Sequence, residues 1–301
     1  MRISTMQMQQ TALNAMLDQQ TKLSKTQNQV ASGRKVLTPA DDPTAAAQAL
    51  EYTQQLARFT QYQNNIARAG SSLSSQDETL GAAVDQLQRL RELAVQAGSS
   101  TLGASGRLAI SYEVRKLNDS ILDLANTRGA DGEYLFSGYQ TQTAPYTDAG
   151  GGVYTYNGDQ GQRQLEVSPS TRIVASDSGA RIFGALPAAA GGLTDVFAVI
   201  SKFASDLESN TYSAGTIRDL DTATASIVGA RASVGARENS LDAIKALNSS
   251  FTQQTQQNLS GVQDLDYAEA VTRLNMQLAG LQAAQQAFVR IQNLSLFNSL
   301  R

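Results

Sequence analysis

The sequence predicts a mainly α-helical chain with a β insert: a long antiparallel helical bundle or coiled-coil rod, with paired terminal helices and a small β-rich outer domain. Three observations predict it. Apolar or aromatic residues recur at every seventh position from Tyr52 to Ala94, with no proline in the run. A second row of the same period runs from Leu220 to Leu241. Between Glu133 and Arg181 the period changes to alternation broken by glycine and proline. The chain then divides into terminal helices (residues 1–43 with 262–301), a long-helix rod (44–133 with 193–261) and a β-rich segment (134–192).

Composition excludes several chemistries before any motif is read. The 301 residues carry 24 basic and 27 acidic side chains, a net charge of −3, and no Cys, His or Trp. Thiolate or imidazole zinc sites and Cys–His or Ser–His catalysis are therefore absent. No cofactor is expected. The charge balance offers no basic surface for nucleic acid or anionic membrane. Apolar runs of about 18 residues, the length of a membrane-spanning helix, do not occur. The opening "MRISTMQMQQTALNAM" lacks the apolar centre of a secretory signal peptide, so none is expected.

Near the N-terminus, Met6, Leu13, Met16, Leu23 and Val30 form a seam whose alternate places hold Gln9, Gln20 and Gln27. A half-polar seam cannot offset the ordering entropy of its own helix, so this one needs a partner. The helix stops at "SGRKVLTPADDP". Gly33 suits the left-handed position that closes a helix. Asp42 suits the N-cap of the next helix and Pro43 its first turn, where a missing N–H costs nothing. Asp41 would favour the positive end of that helix. Paired carboxylates at Asp41 and Asp42 could also serve acid–base or metal chemistry; the cap and proline rules favour the turn. No cap rule requires Arg34 or Lys35, which makes them candidates for contact with a neighbouring subunit.

From Thr44 to Gly98 the seam is Tyr52, Phe59, Ile66, Leu73, Leu80, Leu87 and Ala94. Leu56 and Val84 belong to a second row that also holds Gln63, Gly70, Asp77 and Arg91. A strict seven-residue step keeps one stripe facing a partner, and at 1.5 Å per residue the helix would be about 80 Å long. A third helix carries Ile110, Val114, Leu117, Ile121 and Leu124.

The β segment is read as strands around an Asn157-Gly158 turn in "VYTYNGDQGQRQLEVS", with "TRIVAS" as a further strand and Gly150–Gly152 as a hairpin loop. Thr194 is the expected N-cap of a helix whose inner face is Val196, Phe197, Ile200, Phe203 and Leu207. The long C-terminal helix has Leu220, Ile227, Val234 and Leu241 in one row, diluted further on by Asn248 and Thr255. Ala223, Ala230, Ile244 and Phe251 form the other, interrupted by Arg237. The last helix has Tyr267, Val271, Leu274, Leu278, Leu281 and Phe288, continuing through Ile291, Leu294 and Phe297.

"VASGRKVLTPADDPTAAAQAL" (30–50) resembles the turn after the first helix of bacterial flagellins. "LQRLRELAVQAGSS" (87–100), "IVGARASVGARENSLDAI" (227–244) and "VQDLDYAEAVTRLNMQ" (262–277) are similar to other parts of that family, in the family's order. "YLFSGYQTQTAPY", "YTYNGDQGQRQLEVS" and the proline after the two aspartates resemble the family's hook–filament junction members more than its filament flagellins. The resemblance implies a non-enzymatic structural protein of the flagellum, needed for filament assembly and motility. It implies export from the cytoplasm through the flagellar type III system without a cleaved signal, to an extracellular place on the flagellum. Its partners would be copies of itself, an adjacent hook-associated junction protein, filament flagellin and a cytoplasmic export chaperone. A minor filament flagellin is the alternative, and a coiled-coil signalling adaptor a more distant one. The candidate subunit or chaperone interface is Leu13, Met16, Leu23, Arg34, Lys35, Leu274, Leu278, Leu281, Phe288 and Ile291.

Overall fold

The structure, a computed structural model, describes residues 5–184, 186–188 and 193–299. Among the described residues, seven helices and six short strands follow one another: α1 (Thr5–Ser32), α2 (Pro43–Ala97), α3 (Ala104–Ala125), β1 (Tyr146–Gly150), β2 (Val153–Tyr156), β3 (Gln164–Ser168), β4 (Thr171–Val174), α4 (Gly179–Ile182), β5 (Leu186–Pro187), β6 (Leu193–Thr194), α5 (Val196–Glu208), α6 (Gly215–Gln263) and α7 (Tyr267–Ser299). The chain forms two compact units, one of residues 1–58 with 251–301 and one of residues 59–250. The long helices α2 and α6 each contribute to both.

In the larger unit the heptad row Ile66, Leu73, Leu80, Leu87 and Ala94 is buried, as its spacing predicts. Its companion row differs from the expected one. Of the expected row Val84 is buried, and Tyr62, Ala69, Gln76, Ala83, Leu90 and Ala97 form a further buried row. Alanines and a glutamine read weakly as core. Gln76 is fully buried because its amide nitrogen donates to the Ala175 carbonyl (2.8 Å) and the Ser72 carbonyl (3.2 Å). The expected second row lies along the side facing α6, and two of its polar places, Asp77 and Arg91, hold ion pairs. Asp77 takes a two-pronged contact from Arg231, both 2.9 Å, and Arg91 meets Asp221 at 2.7 Å. Gly70 lies beside Leu241, where a Cβ would make ordinary contact.

The same logic explains the polar interruptions of α6. Leu220, Ile227, Val234 and Leu241 are buried, and Asn248 continues the row, donating to the Phe59 carbonyl at 3.2 Å. Arg237 reaches out to pair with Asp177 and donates to the Val174 carbonyl at 2.9 Å. Helix α5 packs on α3 with all five predicted inner-face residues buried. Its N-cap is Asp195, whose carboxylate accepts the Ala198 N–H at 2.7 Å; Thr194, the expected cap, sits one residue earlier in β6.

The strand pairing corrects the expected one. β1 pairs antiparallel with β2, and β3 with β4, so "VYTY" and "QLEVS" belong to different hairpins. The first hairpin turns at Gly151 and Gly152, both at positive φ (67° and 83°), as a two-residue primed turn requires. The second turns at Pro169-Ser170 after a bulge between Glu166 and Ser168. Asn157-Gly158 is a bend against the preceding segment. The Asn157 N–H donates to Pro145, and a Cβ on Gly158 would collide with the Tyr156 hydroxyl and the Ser137 carbonyl. An aromatic cluster fastens the β1–β2 hairpin to α4 and α5. Tyr146 and Phe197 are 4.8 Å apart, Tyr154 and Phe197 5.1 Å, and Phe136 and Phe183 5.6 Å, with most of these rings buried.

Candidate assembly interface

The smaller unit brings the two ends of the chain together. α1 packs on α7, and two close approaches fix their sense: Gln19 lies beside Gly280, and Gly33 beside Tyr267. Later residues of α1 thus meet earlier residues of α7, so the pair is antiparallel. Predicted pairing of the terminal helices is therefore present in the fold.

The turn between α1 and α2 is built almost wholly from cap chemistry. Gly33 adopts φ +70° and its N–H donates to the Gln29 carbonyl at 2.9 Å. Asp42 accepts the Ala45 N–H at 2.9 Å, the N-cap contact, with Pro43 at the first helical position. Asp41 turns the other way. Its carboxylate accepts the Thr38 and Leu37 N–H groups (3.0 and 3.2 Å) and meets Lys25 of α1 at 2.6 Å. The Lys25 hydrogen bond, then the Thr38 N–H, holds the Asp41 carboxyl down to about 2. The two aspartates thus serve separate backbone groups and do not converge as an acid–base pair. Among the described residues no group of three or more acidic side chains could hold a metal ion, and no helix is long and apolar enough to cross a membrane.

Arg34 and Lys35 bind through their backbones. Arg34 forms a bridge with Asp264, the Lys35 N–H donates to the Gln263 carbonyl at 2.8 Å, and the Leu265 N–H donates to Gly33 at 3.0 Å. The first turn is thereby laced to the second, between α6 and α7. Both side chains are exposed, and neither joins an ion pair among the described residues. Asp266 caps α7, accepting the N–H groups of Ala268 and Glu269. The aspartate-x-x-glutamate spacing at 266–269 was a readable sign of it.

The remaining interface candidates fall into two sets. Leu23 is 7% exposed, and Met16, Leu274, Leu281 and Phe288 are half-buried, on the faces that the two helices turn to each other. Leu13 (42%) and Leu278 (38%) are exposed. With Leu17 on α1, and Tyr267, Val271 and Val289 on α7, they form apolar flanks beside the inner faces. The expected alternate places Gln20 and Gln27 are also exposed. The seam of α1 uses Gln19, Thr26 and Gln29 instead, with Thr26 and Gln29 buried. Gln29 was not singled out from sequence, because a glutamine reads as surface. It is held inside by donating to the Lys35 carbonyl at 2.6 Å. Ile291, with Met6, Leu294 and Phe297, lies in a terminal helix, but these side chains lie outside the described residues.

Comparison with known proteins gives this arrangement a context. Residues 3–141 match the bacterial flagellin N-terminal helical region, and residues 217–300 the bacterial flagellin C-terminal helical region. The flagellar hook-associated protein 3 of Escherichia coli is 29% identical over 99% of this chain and 99% of its own length. A flagellar filament 30.7 kDa core protein of Treponema maltophilum is 26% identical over 70% of this chain and 67% of its own length. The crystal structure of the flagellar junction protein FlgL from Legionella pneumophila is similar in fold, with a TM-score of 0.62 at 20% identity, covering 71% of this chain and 99% of that one.

Proposed function

The chain belongs to the bacterial flagellin family, and we propose that within it the chain is a junction subunit joining the flagellar hook to the filament. One observation carries this reading: the end-to-end match to a hook-associated protein, where the filament core protein matches over part of the chain. Its role is structural, not catalytic. The exposed flanks of α1 and α7, with Leu13 and Leu278 at their centres, are the surfaces that copies of the chain present to one another and to the adjoining hook-associated protein and filament flagellin. Burying such flanks stabilises association by roughly 25 cal/mol per Å² of apolar surface. Arg34 and Lys35, whose backbones are held and whose charges are not paired among the described residues, meet a neighbouring subunit. The subunit reaches the flagellum by type III export, and a cytoplasmic chaperone covers α7 beforehand.

Electron microscopy of a strain lacking this protein tests the proposal. Hooks without filaments, restored by complementation, are expected. Filaments still attached in the deletion strain would overturn the junction role. Purified chain that grows long homopolymers unaided would favour a filament flagellin instead.

A further inference from the structure

In the larger unit a groove of about 480 Å³ opens between α3, the β1–β2 turn and α5. Its volume lies in the range of small-molecule sites. The cations around it are paired, and the Asp148 carboxylate keeps its negative charge. Arg115 makes a two-pronged contact to Glu208 (2.6 and 2.7 Å), Lys116 meets Asp119 at 3.2 Å, and Asp148 accepts the Gly150 N–H at 2.7 Å. Beside these groups stand two tyrosines and an asparagine. Tyr112 offers a ring that is 64% exposed. The Tyr154 oxygen receives the Asn118 amide N–H at 2.7 Å, which leaves the phenol's own proton free to donate. Burial raises the Tyr154 pKa, so that proton stays in place at neutral pH. Asn118 is 5% exposed, and its amide oxygen is buried without a hydrogen-bond partner. The groove is also preformed: a Cβ on Gly152 would stand 2.3 Å from the Ser201 hydroxyl, so the turn's backbone is seated directly on α5.

An exposed aromatic face beside a phenol donor and the Asp148 carboxylate, an acceptor that repels anions, matches an uncharged ligand that has an apolar ring face and a rim of hydroxyls. We propose that this groove binds a neutral saccharide of two or three rings, stacked on Tyr112 and hydrogen-bonded to Tyr154 and Asp148.

Saturation-transfer NMR on the full chain with cellotriose, maltotriose and triacetylchitotriose tests it. Transfer to the ring protons of at least one sugar is expected. It should fall about fivefold in Tyr112→Ala, the loss of one stacking contact. Tyr154→Phe keeps the packing against Phe197 and should also weaken it. Circular dichroism confirms that both variants fold. Transfer to none of the three sugars, or equal transfer in both variants and the parent chain, would overturn the assignment.

Discussion

Lys25 and Asp41 meet at 2.6 Å, tying the turn before α2 back onto α1. The same carboxylate holds the Leu37 and Thr38 N–H groups, so one side chain fixes the turn from two sides.

This gives a pH dependence with a definite sign. The folded pKa of Asp41 is lowered from 3.8 to about 2, so the native state favours the charged form. Its stabilising effect is present above 3.8 and disappears as pH falls through about 2. In an NMR titration the Leu37 and Thr38 amide shifts should move with a midpoint near 2. In Lys25→Ala the midpoint should rise toward 3.8.

Exposed Leu278 on α7 and buried Leu23 on α1 should separate assembly from folding. Leu278→Asp places a charge on exposed surface and should change the unfolding free energy of the monomer by less than about 0.5 kcal/mol, while abolishing incorporation at the hook. Leu23→Ala should do the reverse first, costing about 2 kcal/mol within the α1–α7 pair. Amide exchange of α1 in the free monomer reads the second effect, and a hook-binding assay the first.

Gly33 carries two constraints that can be told apart. Alanine at φ +70° is strained by roughly 1 kcal/mol, and its Cβ would stand 2.8 Å from the Tyr267 hydroxyl. Gly33→Ala should destabilise the turn. Adding Tyr267→Phe should recover the part due to the collision and leave the part due to φ, as a double-mutant cycle by denaturant unfolding would measure.

Asp77→Asn should cost at most about 1 kcal/mol, because Asp77 and Arg231 are about a third or more exposed and solvent screens them. The Arg231 hydrogen bond lowers the Asp77 pKa, so the contribution is present above the ordinary carboxylate range and is lost as pH falls below it. Adding salt should shrink the difference between the two proteins.

Phe197→Ala removes the ring that both Tyr146 and Tyr154 pack against and should cost about 3–5 kcal/mol. At 2–4 °C per kcal/mol for a unit of this size, calorimetry should show a Tm drop of about 10 °C.

Features set by short-range rules were legible in the sequence. The Gly33 and Asp42–Pro43 signals placed the end of α1 and the start of α2, because capping depends on a few neighbouring residues. The heptad row from Ile66 to Ala94 and the inner face of α5 followed from periodicity alone. Other features depend on what lies across the gap, which no local rule contains. The buried row through Ala69, Gln76 and Ala83 is core because the Ala175 carbonyl is there to receive Gln76. Asp77, Arg91 and Arg237 look like flaws in a seam until Arg231, Asp221 and Asp177 are placed opposite. Strand partners followed the Gly151–Gly152 turn over the equally plausible Asn157-Gly158, since packing against Ser137 and Pro145 claimed the latter. Sequence alone put Leu13 and Met16 in one apolar seam and Leu274 and Leu278 in another. Tertiary structure decided which of them the monomer keeps and which it leaves open, because a helix has one stripe of apolar residues but its partner covers only the side it touches.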